Sequence, residues 1–298
     1  MKQHRLFLFF LLGFCSISLL AQTNVGLRTI DIDGEKKINE EAIESLAYSV
    51  LNSSTDQIKD SLNNQLKEML KNELSKAIAF PHSFESVQSI SILTPPDSAF
   101  RLFNWNIPYS DGTYSYECIV LKPKGKPVLL DNTNDSLVEN EWIPALYYNV
   151  IAKKTKFQTY YTVLGWKGND RLTTKKIIDI FWFGNNGDMK FGAPIFKAKK
   201  GKKTRIVFEY AAQNAMKLNY NTKIDRIEFD HLSPSKQSLT GIYEYYGPDL
   251  SFDAYQWEEN YWVLKEDIDS DKGLKKKKAY FEAHKDSLLK KEPIYQPK

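Results

Sequence analysis

The hydrophobic period of the chain changes once, near Ser86, and that change limits what the chain can fold into. Before it, Ile43, Leu46, Ala47, Val50 and Leu51 fall at i, i+3, i+4, i+7 and i+8, the spacing of one helical face. Asn52-Ser-Ser-Thr55 breaks the pattern. Ser54 and Gln57 have the form of a capping box, and Ile58, Leu62, Leu66, Met69, Leu70, Leu74 and Ile78 then carry a second face to Pro81. Such a stripe either docks a partner helix or covers its own domain's sheet, and the second is the commoner use. After Ser86 the runs are short and rich in Val, Ile, Tyr, Phe and Trp, as strands are. Candidate strands are 87–93, 100–107, 114–121, 146–151, 158–166, 175–183, 204–210, 216–220, 226–230, 241–245, 252–257 and 261–265.

The linkers Ser110-Asp-Gly112, Lys167-Gly-Asn-Asp170, Gly184-Asn-Asn-Gly187 and Lys200-Gly201 supply residues that tolerate positive φ, which predicts hairpins between sequence neighbours. Strands do not alternate with helices, so a doubly wound parallel sheet is disfavoured. The expected fold is α+β and mainly antiparallel β, one large curled sheet or a sandwich behind an N-terminal α-helical segment. A propeller-like arrangement is the second choice, weakened by the lack of a regular 40 to 50 residue repeat of the kind propellers carry. Residues 22–85 are the helical segment, 86–270 the β domain and 271–298 a charged tail.

Residues 1–21 read as a secretory signal peptide: Lys2 and Arg5, an apolar run from Leu6 to Leu20, then Ala21 as the small cleavage residue. The run is short of the ~20 residues a spanning helix needs, and no later segment is long and apolar enough, so no transmembrane segment is expected. Phe14 stands before Cys15, which disfavours lipidation. Cleavage near Ala21 lowers Lys plus Arg from 41 to 39 against 37 acids, a formal charge of +2. Such a balance argues against nucleic-acid binding, which usually needs a strong basic excess. Cys118 becomes the only cysteine, so no internal disulfide forms and a large apolar core must stabilise the exported chain. The Cys118 thiol, in a strand-like run, reads as buried and inert.

The densest aromatic and polar segment is 241–257, with Tyr261 and Trp262 just after it. Tyr246, Trp257, Trp262 and His231 are candidate ligand-binding residues, since flat rings beside acids suit a sugar cleft. The plainer reading places half the rings in a core and makes Gly247-Pro-Asp249 a turn. Asp249, Asp253 and Glu209, with Asp230 also available, are the candidate carboxylates for glycoside hydrolysis, which needs two acids across a cleft. His231 follows Asp230 and could join a mixed metal site, but the mature histidines His82, His231 and His284 lie far apart, and a structural histidine bonding its turn is favoured. No metal site and no cofactor are assigned. Asp267-Ile-Asp-Ser-Asp271 and Asp131-Asn-Thr-Asn-Asp135 both miss the Gly and the final acid of a calcium loop. The basic runs at 197–205 and 275–278 read as a hairpin tip and part of the tail rather than as envelope-polymer contacts. Nucleophile-elbow, phosphate-loop and dinucleotide motifs are missing from the sequence.

The runs Phe100-Arg-Leu-Phe-Asn-Trp-Asn106, Asp111-Gly-Thr-Tyr114, Leu164-Gly-Trp-Lys-Gly-Asn-Asp170, Phe191-Gly-Ala-Pro-Ile-Phe196, Phe229-Asp-His-Leu232 and Tyr246-Gly-Pro-Asp249 resemble a set of uncharacterised exported proteins of Bacteroidota, over roughly residues 93–269. The resemblance implies a Gram-negative envelope and no activity, so no residue role follows from it. The expected address is periplasmic or extracellular. The expected function is a non-catalytic binding or structural module of the envelope, with a glycan or protein partner. The alternative is a glycan-directed hydrolase using carboxylates beside an aromatic-rich cleft; enzyme activity is the less favoured of the two.

Overall fold

The computed structural model describes residues 37–130, 141–198 and 201–268. The signal peptide, the 131–135 acidic run, Lys200, and the tail with its 275–278 basic run lie outside the described residues. Two helices lead, α1 (Glu40–Asn52) and α2 (Asp56–Leu74). Asn39 caps α1 by accepting from the Ala42 amide at 3.2 Å. Thr55, not Ser54, caps α2, its hydroxyl accepting from the Ile58 amide at 3.3 Å. α2 also stops earlier than Pro81, because the Ser75 hydroxyl turns back onto the Lys71 carbonyl at 2.6 Å and the chain leaves in turns. Among the described residues, no helix is long and apolar enough to cross a membrane.

The strands follow: β1 (Ser91–Leu93), β2 (Arg101–Pro108), β3 (Tyr114–Leu121), β4 (Val128–Leu129), β5 (Leu146–Lys154), β6 (Thr159–Gly168), β7 (Thr173–Phe183) and β8 (Met189–Phe191). Beyond them lie β9 (Phe196–Lys197), β10 (Lys202–Lys203), β11 (Ile206–Ala211), β12 (Leu218–Asn221), β13 (Arg226–Pro234), β14 (Tyr246–Glu258) and β15 (Tyr261–Lys265). The fold is α+β with antiparallel β dominant. The strands divide into three sheets, ordered β1-β2-β3-β4, β11-β7-β6-β5 with β8 beside β7, and β10-β9-β15-β14-β13-β12. The β9 to β15 pairing is parallel, with Phe196 opposite Trp262.

Period-2 alternation sorts the apolar side chains into three successive cores. Phe103, Trp105, Ile107, Ile119 and Leu121 face the helices, meeting Ile43, Val50, Leu66 and Leu70. The opposite face of the first sheet, through Leu102, Cys118 and Val120, meets Tyr147, Val163, Ile177 and Phe181 of the second. The second sheet's other face, through Leu164, Ile178 and Ile180, packs on Phe196, Ile227, Phe229, Tyr255 and Trp262 of the third. β6 and β7 are therefore buried on both faces, which explains the near-continuous apolar run Ile177-Ile-Asp-Ile-Phe181. Cys118 is fully buried in the middle core, and burial pushes its thiol well above the ordinary range, so it is inert.

Polar side chains stitch the layers. Buried Asn104 accepts from the Tyr147 amide at 2.7 Å and donates to the Ser91 carbonyl at 2.9 Å, joining the first two sheets. Between helix and sheet, Asn63 accepts from Trp105 Nε1 at 2.8 Å and donates to Glu117 at 2.9 Å, while Lys67 pairs with Glu117 at 3.0 Å. Trp262 donates to the Thr162 hydroxyl at 2.8 Å across the last interface.

Two expectations fail in the segment before β14. Residues 241–245 are not a strand: they end in a 3-10 turn, Tyr243–Tyr245, which follows another at Gln237–Leu239. Ile242, Tyr243 and Tyr245 are 44 to 45 % exposed, so no alternate row has a core to enter. Gly247-Pro-Asp249 is not a turn but the start of β14, paired with β13 through Gly247 opposite Ser233 and Pro248 opposite Leu232. The strands at β4, β8, β9 and β10 are two or three residues long, too short for alternation to reveal them.

The Asn63 bridge generates a test. Asn63→Leu keeps the volume but strands the indole N–H of Trp105, and the cost of one buried unsatisfied donor is about 2 kcal/mol. Urea unfolding should show that loss as a lower midpoint with an unchanged m-value; a change below ~0.5 kcal/mol contradicts the bridge.

Candidate functional site

The acids and the histidine singled out from sequence converge at a bulge. β13 and β14 pair through Asp230 and Phe252, then again through Leu232 and Pro248, so His231 alone faces three residues of β14. Leu250 takes up the excess at φ 74°, in the left-handed region. His231 therefore lies within β13 and does not bond a turn of its own. Its Nδ1 is 2.8 Å from Asp253 and its Nε2 is 3.9 Å from Asp249.

Each carboxylate here is already occupied. Asp253 takes His231 on Oδ2 and the Asp267 amide on Oδ1 at 2.9 Å. Asp249 accepts from the amide and hydroxyl of Ser251, at 3.1 and 2.7 Å. Burial pushes the Asp249 carboxyl up, but the Ser251 and Ser233 hydrogen bonds and the charge of His231 outweigh it, and the net direction is down. Asp230 is pushed up by burial, against the hydrogen bond it accepts from the Lys217 amide at 2.6 Å. The hydroxyls of Ser233 and Ser251 go to Asp249 rather than to His231, which leaves no Ser-His-Asp relay. With an imidazole between them, Asp249 and Asp253 do not stand across an open cleft as a glycosidase pair must. Among the described residues, no group of three or more His, Cys, Asp or Glu is placed to hold a metal ion.

The other candidates are dispersed. Glu209 is on β11 in the second sheet, bonded by the Thr173 hydroxyl at 2.8 Å and paired with Lys175 at 3.5 Å. Trp262 is fully buried, so it serves the core and cannot meet a ligand. Trp257 is half-buried edge-to-face on Trp262, with the Lys153 ammonium 5.6 Å from its ring. Tyr246 accepts from the Gly241 amide at 3.0 Å and packs on Tyr243. Tyr246 and Trp257 are eleven residues apart on one strand, on the order of 35 Å, and form no common cleft.

A cleft of about 490 Å³ opens elsewhere, at one end of the second sheet. On the face toward the third sheet, Leu164 and Ile178 are paired and covered; the next row outward is Trp166 beside Lys176, and the next Gly168 beside Thr174. Past the cover these rows line the cleft, with Tyr114 from the β2–β3 hairpin, Arg171 from the β6–β7 turn, and Tyr210 and Asn214 from the end of β11 and the loop after it. Trp166 and Tyr114 meet edge-to-face at 5.1 Å. Gly168 permits this approach, because a Cβ there would come within 2.4 Å of the Tyr114 ring and 2.8 Å of Trp166. The Gly168 amide also donates to the Tyr116 hydroxyl at 2.7 Å.

The charge in the cleft is cationic. Lys176 is half-buried, and desolvation pushes its ammonium down; its neighbours are the Tyr148 ring at 4.6 Å and the Tyr148 hydroxyl at 3.4 Å. Arg171 donates through Nε to the Asp111 carbonyl at 2.6 Å. The one lining acid, Asp170, has its Oδ1 on the Leu172 and Thr173 amides, both at 2.7 Å. Sequence reasoning passed over these residues. The available signal was the lysine at 176 on the row that continues the apolar positions Ile178 and Ile180, placed opposite Trp166 by the hairpin turn at 167–170.

The His231 cluster has a pH signature. The hydrogen bond to Asp253 raises the imidazole above its ordinary value of 6.5; desolvation opposes this, and the charges of Asp253, Asp249 and Glu266 add to the rise. A folded value above the unfolded one means the stabilisation is complete below about pH 6.5 and fades as pH climbs through the folded value. The melting temperature of wild type should therefore fall relative to His231→Gln between about pH 6 and 8, and parallel profiles contradict the pairing. Compared with known proteins, the chain matches no family model, no curated protein and no solved structure.

Proposed function

We propose that the chain is an exported, non-catalytic binding module of the cell envelope that holds a glycan in the cleft of Tyr114, Trp166, Arg171 and Lys176. The address rests on the leader read at 1–21 and on the resemblance to exported proteins of Bacteroidota. The carrying observation for binding is the partly exposed Trp166 and Tyr114 pair set beside Lys176 at a sheet end that, among the described residues, no other layer covers. An indole face accepts the apolar C–H face of a sugar, while adjacent donors take its hydroxyls. The hydrolase reading loses support because Asp249 and Asp253 are bridged by His231 and Glu209 is bound to Thr173 and Lys175.

Titration calorimetry against envelope oligosaccharides tests the reading. Trp166→Ala should weaken binding about tenfold or more, the scale of losing one aromatic anchor, while Trp257→Ala should stay within about twofold. Loss on Trp257→Ala with Trp166→Ala unaffected contradicts the assignment. Release of reducing ends from the same oligosaccharides contradicts the non-catalytic half. For the address, protein recovered from the native envelope should begin near Gln22; an intact Met1 start contradicts export.

A further inference from the structure

We infer that the glycan is acidic: its anionic group pairs with Lys176 while its ring lies against Trp166. This deepens the binding reading above and rests on it. Lys176 is drawn in by its strand position, directly opposite Trp166 on the same face, so a single sugar residue can reach both. Its ammonium is half-buried and partly desolvated, yet among the described residues it has no carboxylate partner; its contacts are the hydroxyl and ring of Tyr148. Compare the lysines nearby. Two other lysines of the second sheet have acids, Lys175 pairing with Glu209 at 3.5 Å and Lys153 with Asp225. A desolvated cation without a counter-ion in a cleft gains most from an anion that brings its own apolar body.

The remaining charges agree. Arg171 uses Nε on the Asp111 carbonyl, and among the described residues its terminal guanidinium nitrogens carry no hydrogen bond, which leaves the planar fork for a second contact. Asp170 also lines the cleft, but its carboxylate caps two backbone amides and accepts from Asn169 at 2.9 Å, which holds it in the turn. Asp111, beside Arg171, feels its charge but spends its carboxylate on the amide and hydroxyl of Thr113, so Lys176 is the lining cation without a carboxylate nearby among the described residues. The shared chemistry is an anion on a sugar ring; a uronic acid and a sulfated or phosphorylated sugar are its sources.

The test compares a galacturonic acid oligomer, a galactose oligomer of equal length and a sulfated galactose oligomer by calorimetry at low salt, with full-length mature protein. Wild type should bind an acidic oligomer about tenfold tighter than the neutral one, a preference that added salt reduces. The acidic oligomer that binds more tightly identifies the anion. Lys176→Gln should bring the preference to about twofold and Lys176→Arg should retain most of it. Arg171→Gln, at an exposed position, gives a second reading should Lys176→Gln melt at a much lower temperature than wild type. Equal affinity for neutral and acidic oligomers overturns the acidic assignment and leaves the binding reading standing. No binding of any oligomer overturns both. An equal loss in Lys124→Gln, exposed in the turn after β3 and at the opposite end of that strand from Tyr114, overturns the assignment by making the attraction one of general charge.

Discussion

Everything in this fold hangs on the burial of one sheet from both sides. β6 and β7 send Val163, Ile177 and Phe181 into one core and Leu164, Ile178 and Ile180 into the next, so the second sheet packs against both the first and the third. Such a strand has no solvent face on which to place polar residues, and the polar groups it does carry must be answered locally. Asp179 is the extreme case: fully buried, its carboxyl is pushed up to about 6 by desolvation, against the attraction of Arg205 Nε at 3.3 Å. Thr162 is answered by the Trp262 indole. Burying a ring the size of Trp262 contributes roughly 4 to 6 kcal/mol at the usual 25 cal/mol/Å², so this single contact is a large part of what clamps the third sheet on.

The same constraint makes the cleft. A twisted sheet covered by shorter layers runs out of cover at its ends, and among the described residues the first row past the cover on β6 and β7 is Trp166 with Lys176. The bulge at His231 is a different kind of feature. It gathers acids around an imidazole, but it does so to fasten β14, the Asp267 amide and the Ser251 turn, and the Asp249 and Asp253 carboxylates both have hydrogen-bond partners inside the protein. Lys176, by contrast, lines the cleft and has no carboxylate partner among the described residues. That difference, occupied acids in one place and a cation with unused capacity in the other, is why binding at the cleft is the reading advanced and hydrolysis at the bulge is not.

Much of the architecture was legible in the chain. The helical faces at 43–51 and 58–74, the long strands and the hairpin turns follow from apolar period and turn residues, because those depend on local spacing alone. The errors have local causes too. The aromatic run 241–245 has strand-like composition, but composition does not record that these rings meet no opposing layer, and the chain takes 3-10 turns with Tyr243 and Tyr245 exposed. Gly247-Pro-Asp249 carries turn chemistry, yet the bulge at Leu250 absorbs it inside a strand. The candidate residues suffered most. Asp249, Asp253 and His231 do meet, through a bulge that no spacing rule announces, whereas Glu209 is in another sheet and Trp262 is in a core. Trp166 and Lys176 were passed over because their significance is pairwise: only the register of β6 on β7 sets them side by side.

The central claim is that ligand enters at the end of the second sheet and not at the His231 bulge. Nitrogen-15 chemical-shift mapping on titration with an acidic oligosaccharide tests it most directly, because every backbone amide and each indole reports its own position. The account predicts shifts at the Trp166 indole and at the amides of Gly168, Arg171 and Lys176, with Trp257, His231 and Asp253 unmoved. Shifts concentrated at His231, Asp249 and Asp253, with Trp166 silent, contradict it.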